Sequence, residues 1–138
     1  MKSIVILISG RGSNMESLLN AVADGALPVR VAAVISNRPD AKGLEAAAAQ
    51  DVEICVVDHT RFDTRETFDA AMIKTIDSYA PDLVVLAGFM RILTDDFVRR
   101  YEGRLLNIHP SLLPSFPGLH THRQALAAGV RAHGCTVH

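Results

Sequence analysis

Asn107 and His109 stand two residues apart in the run Leu105-Leu106-Asn107-Ile108-His109. Side chains alternate along a strand, so Leu106 and Ile108 point to one face while Asn107 and His109 point together to the other. In a sheet covered on both faces, a polar pair at such positions is costly unless it is hydrogen-bonded or functional. Pro110 biases His109 toward extended backbone and helps fix its direction. An amide N–H donor beside an imidazole suits an oxyanion that develops together with a proton transfer. The same pair also reads as a buried Asn–His contact satisfied by neighbouring loops.

A second candidate is Ser9-Gly10-Arg11-Gly12-Ser13-Asn14, between an apolar run and a helical pattern. Glycines permit a tight turn and close approach of backbone to a ligand, and a helix start offers free N–H groups at the positive end of its dipole. One reading is a phosphate cradle formed by Gly12, Ser13 and Asn14; the other is a capping box, Ser13 with Glu16, after a tight turn. The segment is neither a full GxGxxG nor a Walker motif. A third candidate is Gly88-Phe89-Met90-Arg91-Ile92-Leu93, at the end of another apolar run. It suits either a flat, mostly apolar ligand slot or a connection docking on the core.

His120 and His122 have the spacing of a metal-ligand pair, yet further ligands are not evident, and loop or helix-cap histidines are the simpler reading. No metal is expected. Cys55, inside an apolar run, reads as a small buried residue, and Cys135 has no activating neighbour in sequence. A serine nucleophile is excluded for want of a GxSxG elbow.

The elements that must position these residues are legible as alternating runs. Residues 4–8, 31–35, 54–57 and 83–87 are near-continuous apolar stretches, the pattern of strands buried on both faces of a parallel sheet, and 105–109 is a weaker fifth. Met15, Leu18, Leu19 and Val22 have helical spacing, with Gly25 as a stop. Residues 40–50 are alanine-rich. Phe68, Met72, Ile76 and Tyr79 repeat helically behind an Asp63–Glu66 capping box, and a last helix is expected over residues 121–128. This βαβαβ rhythm predicts an α/β fold, a doubly wound, mostly parallel open sheet with right-handed crossovers. At 138 residues the chain is the size of one domain, and nothing in it reads as a linker or repeat. The last five residues, 134–138, read as the opening of another strand, so the expectation is a domain whose C-terminal portion is missing from the chain.

Fourteen basic residues against fifteen acidic ones, net charge −1, with no run of like charge, exclude a basic nucleic-acid platform. Two cysteines exclude a disulfide scaffold and fit a reduced, cytoplasmic protein. The apolar start is too short for a membrane span or a signal peptide, so no membrane partner is expected.

The strings GRGSN (10–14), AGFMRIL (87–93), NIHPSLLP (107–114) and PGLHTHRQAL (117–126) resemble the folate-dependent formyltransferases, with their Rossmann-like fold, in register from the first apolar run to His138. NIHPSLLP is shared with relatives that formylate methionyl-tRNA or hydrolyse formyltetrahydrofolate. GRGSN and PGLHTH favour the branch that formylates 5-phosphoribosylglycinamide in purine biosynthesis. The resemblance implies that Gly12, Ser13 and Asn14 hold the ribonucleotide phosphate. It implies that Arg65, Met90, Arg91, Ile92, Leu93 and Asn107 contact 10-formyltetrahydrofolate, the formyl-donating cosubstrate. It implies that Asn107 and His109 are catalytic, with His109 the proton donor, in a monomer or homodimer acting on small molecules. Family members continue into a loop whose aspartate pairs with this histidine and raises its pKa. This sequence stops before that loop, so the expectation is an active parent protein and a weak or inactive 138-residue chain.

Overall fold

A computed structural model describes residues 1–108 of the chain. The branched stretches become β1 (Lys2–Ile8), β2 (Val29–Ser36), β3 (Ile54–Val56), β4 (Leu83–Ala87) and β5 (Leu105–Ile108). Between them lie α1 (Ser13–Ala23), α2 (Lys42–Ala49), a 3-10 turn (His59–Arg61), α3 (Arg65–Asp77) and α4 (Asp95–Arg100). All strand pairs are parallel, in the order β3-β2-β1-β4-β5, the doubly wound arrangement that the sequence predicts.

Two cores form because the sheet is covered on both faces. Met15, Leu18 and Leu19 of α1, with Leu44 and Ala47 of α2, pack on Ile4, Ile6, Ile8 and Val85. Phe68, Met72 and Ile76 of α3, with Phe97 of α4, pack on Val5, Leu7, Ile35 and Leu86. Alternation along β5 divides its residues the same way, Leu106 and Ile108 joining the α1–α2 side and Leu105 the α3–α4 side.

Gly25 ends α1 as the spacing predicts. It sits at φ 78, its N–H bonds to the Val22 carbonyl, and the Ala26 N–H reaches back to Ala21 at 2.9 Å. This pair of bonds is the Schellman closure, and it needs a left-handed residue at that place.

Two local expectations are corrected. The α3 capping box is Thr64 with Thr67, one residue beyond the expected Asp63–Glu66, because the two threonines satisfy each other's backbone N–H groups. The third strand is a three-residue edge strand, with Ile54 and Val56 each about 40% exposed, and Cys55 is half-buried. It borders only β2, so it lacks the second neighbour that would bury it. The expected helix over 121–128 and the expected strand from Cys135 lie outside the described residues.

Candidate functional site at the switch point of the sheet

The strand order reverses between β1 and β4. The chain leaves β1 toward α1 on one face and leaves β4 toward α4 on the other, so a crevice opens where the two connections part. Ligands of open α/β sheets bind at this point, outside the carboxyl ends of the strands. A cleft of about 360 Å³ occupies it, lined from the β1 side by Gly12, Ser13 and Asn14 and from the β4 side by Gly88 and Met90. Two of the three candidate segments therefore share one cavity.

On the β1 side, Gly12 is the N-cap of α1 at φ 70 and ψ 33, and no side chain caps the helix. The Ser13–Glu16 capping box therefore does not form, and the first-turn N–H groups of an 11-residue helix face the cleft without a side-chain oxygen on them. The start of α2 presses on this loop from behind. The Gly43 N–H donates to the Gly10 carbonyl at 3.0 Å, and a Cβ on Gly43 would meet Ile8 Cδ1 at 2.6 Å. Arg38 also lines the cleft, paired with exposed Asp40 at 3.2 Å, and Arg11, Arg38 and Lys42 give the adjoining hollow a cationic rim.

On the β4 side, Gly88 turns the chain at φ 72, and Met90 and Ile92 are apolar yet 80% and 68% exposed. Arg91 lies over the Phe68 ring, 5.7 Å from its centroid, with its Nε buried and without a partner among the described residues. Leu93 turns inward and is buried in the α3–α4 core, leaving only its backbone for any ligand. The next residue, Thr94, donates its N–H to buried Asp69 at 2.7 Å and caps α4 through the Phe97 N–H. Arg65, exposed at the first position of α3, lies three and four residues before Phe68 and Asp69. Residues at that spacing share a helix face, so Arg65 lies at the exposed end of the α3 face that carries Phe68 and Asp69.

Asn107 lies in β5 opposite Leu86 and is half-buried; alternation puts it with Leu105 on the α3–α4 side. His109, its expected partner, lies outside the described residues, as do His120, His122 and Cys135.

Sequence reasoning singled out the segment that begins at Ser9 but passed over the buried polar chain that starts there, on the floor of the cleft. The Ser9 hydroxyl donates to Asn37 Oδ1 at 2.5 Å and accepts the Met90 N–H at 2.8 Å. Asn37 Nδ2 lies 3.0 Å from His59 Nδ1. Ser9 and Asn37 directly follow the buried strands β1 and β2. Polar residues in that place must find partners, which is the signal that could have marked them.

Larger hollows of about 620 and 560 Å³ open at the amino ends of the strands, around Leu27, Pro28 and Val29. They are mainly apolar and share no residue with the candidate segments. Among the described residues no cluster of His, Cys, Asp or Glu could hold a metal ion, and no helix is long and apolar enough to cross a membrane.

The pattern of this chain matches the formyl transferase family model over residues 2–138. It is 54% identical over 136 residues to the phosphoribosylglycinamide formyltransferase of Escherichia coli, covering 99% of this chain and 64% of that protein. It is 47% identical to the trifunctional purine biosynthetic protein adenosine-3 of Drosophila melanogaster, covering 99% of this chain and 10% of that one. The solved phosphoribosylglycinamide formyltransferase of Coxiella burnetii superposes with a TM-score of 0.77 at 50% identity, covering 94% of this chain and 61% of the other. The chain thus spans less than two thirds of the length of these relatives. With the sequence pattern, the sheet order and the cleft in agreement, the chain belongs to the formyl transferase family.

Proposed function

We propose that the protein transfers a formyl group from 10-formyltetrahydrofolate to the amine of 5-phosphoribosylglycinamide, a step of purine biosynthesis. The observation that carries this reading is the shared cleft, with an uncapped helix start on one wall and the exposed Met90 side chain on the other, Ile92 being exposed two residues further on. The first wall suits a phosphate: backbone N–H groups of residues 12–14 and the dipole of α1 favour an anion, and Arg38 adds positive charge. The second suits a flat heteroaromatic ligand, with Met90 and Ile92 against its faces and the backbone of Arg91 and Leu93 for its edge. Arg65, exposed on the same helix as Phe68, suits a carboxylate of the folate tail.

In the proposed reaction the free amine attacks the formyl carbon, and the carbonyl oxygen becomes an oxyanion. Asn107 donates an N–H to that oxygen and protonated His109 stabilises it. The C–N bond to the folate nitrogen then breaks, and that nitrogen takes the proton released by the amine, through His109 or water. Low net charge and a sequence without a basic arm or a run of Lys and Arg weigh against a tRNA acceptor.

The test follows consumption of 10-formyltetrahydrofolate with and without the ribonucleotide. Consumption that requires the ribonucleotide supports the proposal. Consumption that ignores it points to a hydrolase, and ligand binding without consumption points to a binding module.

A further inference from the structure

The buried chain Ser9–Asn37–His59 joins the carboxyl ends of β1, β2, β3 and β4, and it ends on the backbone of the segment that faces the cleft. Ser9 is 4% exposed and Asn37 2%, so neither side chain is a surface accident. The direction of the two bonds at Ser9 follows from donor counting. Met90 N can only donate, so the Ser9 oxygen accepts from it, and the single Ser9 hydrogen goes to Asn37 Oδ1. His59 Nδ1 lies 3.0 Å from both Asn37 Nδ2 and the Asn37 carbonyl oxygen, so Asn37 holds the ring in either tautomer, Nδ1 accepting from the amide in one and donating to the carbonyl in the other.

His59 stands edge-on to Phe68, at 6.4 Å and 86°, and Phe68 carries the Arg91 guanidinium on its ring. Met90 is thus gripped by its backbone and Arg91 by its side chain, both from one continuous assembly. At its other end Ser9 is the residue before Gly10, where the cradle loop begins. The Met90 side chain lines the cleft, while its N–H points back to Ser9 across 81 positions of sequence.

We propose that Ser9 is a positioning residue, whose hydroxyl, oriented by Asn37 and His59, clasps the Met90 backbone to the β1 strand end and so sets the distance between the two walls of the cleft. The inference rests on the proposed function for the identity of the two ligands. The clasp itself stands on the geometry alone. Ser9 lines the floor of the cleft with its hydroxyl committed to Asn37 and Met90, so it acts through Met90, on the folate wall. The ribonucleotide wall has its own support in the Gly43–Gly10 bond and does not depend on this hydroxyl.

The experiment compares the wild-type chain with Ser9→Ala, which deletes the hydroxyl, and Ser9→Thr, which keeps it. In the ligand-free protein, exchange of the Met90 amide with solvent should quicken about tenfold in Ser9→Ala, while Val85 in the centre of β4 keeps its wild-type rate. Binding of 10-formyltetrahydrofolate should weaken about tenfold in Ser9→Ala and return toward wild type in Ser9→Thr. Binding of the ribonucleotide should change less than about twofold, a split that general loosening does not produce. Should Ser9→Ala not fold, His59→Phe removes the half-buried outer member, with the same split expected at about threefold.

Unchanged Met90 exchange in Ser9→Ala overturns the clasp, and equal weakening of both ligands overturns its placement on the folate wall. A wild-type chain that binds no folate overturns the proposed function and the folate half of this inference, while the exchange rates still decide whether the clasp exists.

Discussion

The Gly43 N–H donates to the carbonyl of Gly10 at 3.0 Å, pinning the first turn of α2 against the loop that opens α1. A Cβ at position 43 would stand 3.1 Å from the Gly10 oxygen and 3.2 Å from that of Arg11, besides striking Ile8 Cδ1. The Ile8 methyl can swing aside, whereas the two carbonyls move only if the loop moves. Gly43→Ala should therefore cost about 1–3 kcal/mol of stability and weaken ribonucleotide binding about tenfold. Thermal unfolding and calorimetric titration check the two effects, and wild-type values in both would show that the loop is not held from α2.

Asn107 is the described residue that the proposed function puts at the reacting centre. One oxyanion donor is worth about 3 kcal/mol, so Asn107→Ala should lose roughly two to three orders of magnitude in formyl-transfer rate. Asn107→Ala with near-normal turnover would remove this residue from the chemistry. Steady-state rates at saturating ribonucleotide and folate separate that loss from weakened binding.

The framework was legible because its signals are local. Runs such as Ile4 to Ile8 and Leu83 to Ala87 announce buried parallel strands, and Gly25 announces the end of α1. Where the signals were local but shared, they misplaced detail by one residue: Asp63 and Thr64 are both good caps, and the partner hydroxyl of Thr67 decided for Thr64. Exposure of Ile54 and Val56 was hidden because strand order is not written in any one segment. Ser13 with Glu16 read equally as cap or cradle, and only the left-handed torsion at Gly12 separates the two. The Ser9–Asn37–His59 chain was least legible, since its members are 28 and 22 residues apart and meet only once the strands are ordered.

Tyr101 ties α4 to the end of α3. Its hydroxyl donates to Asp77 Oδ1 at 2.8 Å, and Asp77 Oδ2 takes Arg100 at 2.6 Å. Burial, then the bond to Asp77, raises the Tyr101 hydroxyl well above its ordinary pKa of 10.0. A folded pKa above the unfolded one favours the protonated form in the fold. The stability it contributes is therefore full below about pH 10 and is lost as pH rises beyond it. Tyr101→Phe should cost about 1–2 kcal/mol at neutral pH, with a shallower fall in stability above pH 10 than wild type. Urea unfolding from pH 7 to 11 measures both, and parallel curves for the two proteins would refute the assignment to Tyr101.

The most direct test of the central claim, one cleft with a phosphate wall and a folate wall, is an amide NMR titration of the chain with each ligand separately. Glycinamide ribonucleotide should shift the amides of Gly12, Ser13 and Asn14 in a saturable way, and 10-formyltetrahydrofolate those of Met90, Arg91 and Ile92. Saturable shifts gathered around Leu27 and Val29 at the opposite end of the sheet, or none with either ligand, would contradict it.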